Sequence, residues 1–139
     1  HLLLETGIEP RGKTALVVGR SNIVGRPTAH LLSCLDATVT LAHSQTAELA
    51  RHVGSADILV AATGRAGLIA GAWIKPGAVV LDAGVSYTAK TMAGDVDFES
   101  AKERAGYITP VPGGIGPLTV TFLLFNTVIS AERRLRSFL

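Results

Sequence analysis

The groups best suited to grip a ligand lie between an apolar run and a helical pattern, in Gly19-Arg20-Ser21-Asn22-Ile23-Val24-Gly25. Gly19 ends the run Leu16-Val17-Val18, and Gly25-Arg26-Pro27 opens the helical pattern. A turn of this kind aims the N-terminus of a helix, with its unpaired N–H groups, at a phosphate. The spelling departs from G-x-G-x-x-G, because Ser21 stands at the middle glycine and Arg20 puts a cation inside the turn. The Ser21 hydroxyl adds to the amides facing an anion, and the Arg20 guanidinium offers it planar donors. The chemistry expected here is binding of a dinucleotide's phosphates.

The adenosine end is read further along. Folds that bind NAD place an Asp or Glu on the ribose hydroxyls roughly twenty residues beyond the glycine turn. This chain has His43-Ser44-Gln45-Thr46 there, with no carboxylate. A hydroxyl, an imidazole and the nearby Arg20 suit a 2′-phosphate, so NADP is expected over NAD. A third segment shapes a ligand: Pro110, Pro112, Gly113, Gly114, Gly116 and Pro117 crowd the loop between Ile108 and Thr119. The prolines fix its path and the glycines admit close backbone approach.

Short apolar runs must position these groups. Residues 14–18, 38–42, 57–61 and 78–82 read as strands covered on both faces, with a fifth at 107–109. Helical patterns fall at 25–35, 47–53 and 98–105, with a short helix at 72–74. The alternation predicts an α/β fold, a Rossmann-like doubly wound parallel sheet in a single domain. Its carboxyl edge collects Gly19, Arg20 and Ser21, then His43 and Ser44, then Thr63, Gly64 and Arg65, then Gly84 and Val85. Gly64 and Gly84 are expected to let a cofactor pass closely, and Val85 to contact its nicotinamide end through the backbone. Ser44 also suits the N-cap of the next helix. Asp82 reads as a satisfied structural carboxylate and Cys34 as a buried thiol.

Composition excludes several classes. Hydrophobic residues make up 47% and charged ones 17%, which is not a disordered chain. A net charge of +2 and scattered aromatics give no nucleic-acid surface. Cys34, the single cysteine, suits a reducing compartment. His1, His30, His43 and His52 fall on different elements, so no metal site is expected. The apolar stretch 118–129 is interrupted by Thr119, Thr121, Asn126 and Thr127 and falls short of the roughly twenty residues a membrane span needs. Its apolar residues nonetheless occupy nearly all sides of a helix, more than packing on a sheet uses.

GRSNIVGRP, TVTLAHSQT, ADILVAATG, KPGAVVLDAGV, GDVDF and ITPVPGGIGPLT stand here in the order and at the separations found in one enzyme family. Over residues 12–132 the chain resembles the NADP-binding domain of bifunctional methylenetetrahydrofolate dehydrogenase/methenyltetrahydrofolate cyclohydrolase. The resemblance implies residues 1–11 as the end of a connecting helix and its linker, and 12–139 as the NAD(P)-binding domain. It implies Gly19, Arg20, Ser21 and Ser44 on the cofactor's phosphates and ribose, and Val85 near the nicotinamide. Pro112, Gly113 and Gly116 would wall the substrate cleft. Many family members carry Arg or Lys where this chain has Gln45, so the implied preference for NADP is moderate.

Family members also carry an N-terminal half with the folate pocket and an essential lysine a few residues after a tyrosine. The only close analogue here, Lys90 after Tyr87, reads as a solvated residue near a hairpin, so no catalytic residue is expected in this chain. The folate partner would come through that other half, and the complete enzyme would be a homodimer, cytoplasmic, or mitochondrial where a targeting segment precedes it. Two alternatives stay open from the sequence: the cofactor domain of another NAD(P)-dependent dehydrogenase, and a non-catalytic nucleotide-binding or interaction module.

Overall fold

A computed structural model of the chain describes residues 1–87 and 92–136; Lys90 lies outside them. In chain order the elements begin with α1 (Leu2–Glu5), β1 (Thr14–Val18), α2 (Gly25–Cys34), β2 (Thr38–Ala42), α3 (Leu49–Ser55) and β3 (Ile58–Ala61). A 3₁₀ turn (Gly71–Trp73) leads to β4 (Val79–Asp82) and the hairpin strands β5 (Ser86–Tyr87) and β6 (Met92–Ala93). Then come α4 (Phe98–Ala101), β7 (Tyr107–Ile108) and α5 (Ile115–Arg136). The main sheet has the order β2-β1-β3-β4-β7, and every pairing in it is parallel.

Alternation along each strand divides the core between two faces. Leu16, Val18, Leu59, Ala61 and Val80 pack with Val53 of α3, Ile69, Ile74 and Ala101 of α4. Ala15, Val17, Ile58, Val60 and Val79 pack with Leu3 of α1 and Leu32 of α2. Each large apolar side chain so buried contributes about 1.5–3 kcal/mol, which is why helices cover both sides. At the amino edge Asp57 accepts from the Thr14 N–H (2.9 Å) and from Lys75 Nζ (2.6 Å). The Lys75 bond and the Thr14 amide hold the Asp57 carboxyl down at about 2. That clamp is kept above the ordinary carboxylate range and lost as the pH falls towards 2.

Several expectations change. β2 is the outer strand, so Thr38 and Thr40 face solvent instead of being covered. Cys34 is exposed, not buried, because Ala29 and Leu32 carry the packed face of α2. Its Sγ lies 3.7 Å from His30 Nε2, one turn back on the open side. The helix expected over 98–105 stops as α4 at Ala101.

The largest difference is α5. It runs 22 residues, well beyond 118–129, and none of them is buried. Thr119, Thr121 and Thr127 donate to carbonyls four residues back, so their hydroxyls do not interrupt it. Among the described residues it is the one helix long and apolar enough, by length and composition, to cross a membrane. Val120, Leu123, Leu124, Phe125 and Val128 are all more than half exposed. Such a surface without a cover drives association in water. The isolated chain should therefore sediment as concentration-dependent oligomers and bind a hydrophobic dye, and a Leu123→Glu, Leu124→Glu double variant should do neither. A strictly monomeric, dye-silent wild-type chain would contradict this.

Candidate cofactor site

The carboxyl ends of the strands build two cavities side by side. The first, about 360 Å³, is lined by Gly19, Arg20 and Ser21 after β1, His43, Ser44 and Thr46 after β2, and Thr63 and Arg65 after β3. The second, about 490 Å³, is lined by Val24, by Gly84 and Val85 after β4, and by the loop containing Pro112, Gly113 and Gly116. The turn 19–25 thus forms a wall of both. All eight site residues expected from the sequence lie in one cavity or the other.

The glycine turn is shaped by contact. Gly19 has φ +118, and a Cβ there would lie 2.1 Å from the Ala62 carbonyl oxygen at the end of β3. Ser21 differs from expectation. Its Oγ accepts from the Val24 N–H (3.1 Å) and the Gly25 N–H (3.3 Å), capping the entry to α2. Those amides are occupied by the chain itself, and the hydroxyl keeps only its proton to donate to a ligand.

Ser44 is not a helix cap. The Thr46 N–H donates to the His43 carbonyl (2.8 Å), so Ser44 and Gln45 form the tip of a tight turn. The His43 N–H donates to Thr46 Oγ1 (2.8 Å), and the Gln45 N–H to His43 Nδ1 (3.2 Å). α3 begins only at Leu49, after Glu48 in a left-handed conformation. Ser44 lines a cavity whose other lining residues include Arg20, Arg65 and His43 and no carboxylate.

Sequence reading missed the residue that organises this edge. Asp95 is completely buried and accepts from the amides of Thr63, Gly64 (3.1 Å) and Arg65 (2.8 Å). Asp82, 4% exposed, accepts from the amides of Gly84 (2.9 Å), Asp95 (3.1 Å) and Val96 (2.9 Å). Burial raises the Asp82 pKa against the lowering pull of those three N–H groups. Asp82 is thus a satisfied structural carboxylate, as expected, although an acid does stand beside it. A Cβ at Gly84 would lie 2.1 Å from the Asp95 carboxyl carbon, so Asp95 already requires glycine at this position. The signal available in the sequence was Asp95 set between Gly94 and Val96 in the segment GDVDF.

Residues 1–135 match the family model of the tetrahydrofolate dehydrogenase/cyclohydrolase, NAD(P)-binding domain. The chain belongs to this family. The bifunctional protein FolD of Geotalea uraniireducens is 55% identical over 134 residues, 96% of this chain and 48% of that protein. The FolD of Anaeromyxobacter dehalogenans is 58% identical over the same length, again 48% of its own. The chain therefore spans about half the length of the curated relatives it matches. Among solved structures, the Trypanosoma brucei FolD complexed with NADP cofactor and inhibitor superposes with TM-score 0.93 at 46% identity, over 97% of this chain and 48% of that one. The Campylobacter jejuni FolD does so with TM-score 0.93 at 42% identity, over 96% and 48%. The Rossmann-like fold and the NAD(P)-binding domain class of the family agree with the sheet and the twin cavities described above.

Proposed function

We propose that this chain is the cofactor-holding half of an NADP-dependent methylenetetrahydrofolate dehydrogenase/methenyltetrahydrofolate cyclohydrolase. The complete enzyme would oxidise 5,10-methylenetetrahydrofolate to the methenyl form and hydrolyse that to 10-formyltetrahydrofolate. The observation that carries the reading is the pair of cavities sharing the turn 19–25. A dinucleotide laid across that turn puts its adenosine end among Arg20, His43 and Ser44, and its other end beside Val85. The fit is chemical as well: cations, hydroxyls and no acid at the first cavity, and a mostly apolar lining, with Asp82 and Thr119, at the second. When bound, NADP⁺ accepts the hydride.

The chain's own residues orient and exclude. Arg20 and Ser44 hold the phosphate on the ribose, while Gly19 lets the turn close on β3 and Ser21 keeps the helix entry fixed. Val85 borders the reacting end, and Pro112, Gly113 and Gly116 wall the cleft where a folate would be brought to near-attack distance. By the family resemblance, the ring-opening step falls to the other half of the enzyme. The bare apolar sides of α5 support a further half packed over it. The reading includes a homodimer for the complete enzyme, in the cytoplasm or the mitochondrion.

The purified chain should bind NADP⁺ in a calorimetric titration yet turn over neither methylenetetrahydrofolate nor its methenyl form. Turnover by this chain alone would overthrow the division of labour, and absence of NADP⁺ binding would overthrow the site.

A further inference from the structure

We infer that Arg65 is a second cation, beside Arg20, for the 2′-phosphate. The inference rests on the first cavity being the adenosine end of the cofactor site. Arg65 follows β3, not β2, and yet it lines the same cavity as Arg20, His43 and Ser44. Among the described residues neither Arg20 nor Arg65 has a carboxylate within ion-pair distance, whereas Arg11, Arg51, Lys75 and Lys102 all do. Two guanidiniums lining one cavity without an acid leave it positively charged, and a dianionic phosphate monoester suits that charge best.

The backbone under Arg65 is fixed before any ligand arrives. Its N–H donates to Asp95 Oδ1 (2.8 Å) and to Thr63 Oγ1 (3.2 Å). The segment beyond is tied as well, because the Gly67 N–H donates to the Gly94 carbonyl and the Ile69 N–H to that of Asp95 (both 3.0 Å). A side chain launched from a pinned Cα loses less freedom on binding than one on a loose loop. Asp95 is thus a positioning residue for Arg65.

The test compares NADP⁺ with NAD⁺, and 2′,5′-ADP with 5′-AMP, by calorimetry on the wild-type chain, Arg65→Ala, Arg65→Lys and Arg20→Ala, each checked for folding by circular dichroism. Arg65→Ala should weaken NADP⁺ and 2′,5′-ADP about tenfold, as loss of one charge-assisted bond does, and leave NAD⁺ and 5′-AMP nearly unchanged. Arg65→Lys should recover part of the loss, and added salt should shrink it. Arg20→Ala should show the same selectivity for the 2′-phosphate. Equal losses for NADP⁺ and NAD⁺ in Arg65→Ala would put the side chain on the adenine or pyrophosphate and overturn the inference. So would an unchanged NADP⁺ affinity in Arg65→Ala alongside a loss in Arg20→Ala. Indifference of NADP⁺ to both substitutions would instead remove the adenosine end from this cavity, and the inference with it.

Discussion

Gly25→Ala should abolish cofactor binding and cost at least about 3 kcal/mol of stability, beyond the usual range for an overpacked methyl group. A Cβ at residue 25 would lie 1.8 Å from the Gly19 carbonyl oxygen and 2.6 Å from its carbonyl carbon. Both are backbone atoms of the turn, so no side chain can swing away. The only relief is to push α2 off β1, which breaks the Ser21 cap on the Val24 and Gly25 amides. Gly116→Ala is the matched control, because nothing lies within 4 Å of a Cβ there. Urea unfolding of the two variants should separate them clearly. A Gly25→Ala chain as stable as wild type would mean that the helix and the turn are not in this contact.

Asp95→Ala should be nearly as damaging by a different route. It leaves the amides of Thr63, Gly64 and Arg65 without their acceptor. An unsatisfied buried donor costs about 1–3 kcal/mol, and water can reach part of this edge, so a total near 3 kcal/mol is expected. Asp95→Asn should recover only part of it, since its amide group turns a donor towards donors. NADP⁺ affinity should fall in both variants, because the loop carrying Arg65 is released. A urea midpoint shift worth less than about 1 kcal/mol would show that Asp95 does not hold that loop.

The sheet was legible because strand periodicity survives burial. β1 and β2 fall where their apolar runs stand, and β3 and β4 begin one residue later than read. The gathering of the candidate residues on the carboxyl edge was legible for a related reason: parallel strands must deliver their following residues to one side. What could not be read were contacts between segments far apart in sequence. Asp82 and Asp95 are thirteen residues apart, and neither shows from its neighbours that it accepts three amides. The N-cap reading of Ser44 came from local preference and gave way to the turn closed by Thr46 on His43. The bonds of Ser21 to the Val24 and Gly25 amides did not show in its neighbours. The length of α5 escaped because its threonines look like interruptions in sequence but bond back to their own helix.

The turn from His43 to Thr46 has consequences for how coenzyme choice can evolve. Its described hydrogen bonds run between its own members, and it hangs from β2, an edge strand of the sheet. Exchanging Ser44 or Gln45 therefore asks nothing of the sheet or of the carboxylates beneath the next loop. On the proposed assignment of the cofactor site, the tip is a replaceable cassette, open to drift between phosphorylated and unphosphorylated coenzymes. Arg65 sits on the opposite bank, tied to buried groups that tolerate little exchange. Lineages changing coenzyme should thus record the change first at the β2 tip, and engineered libraries will recover most folded members from those same positions.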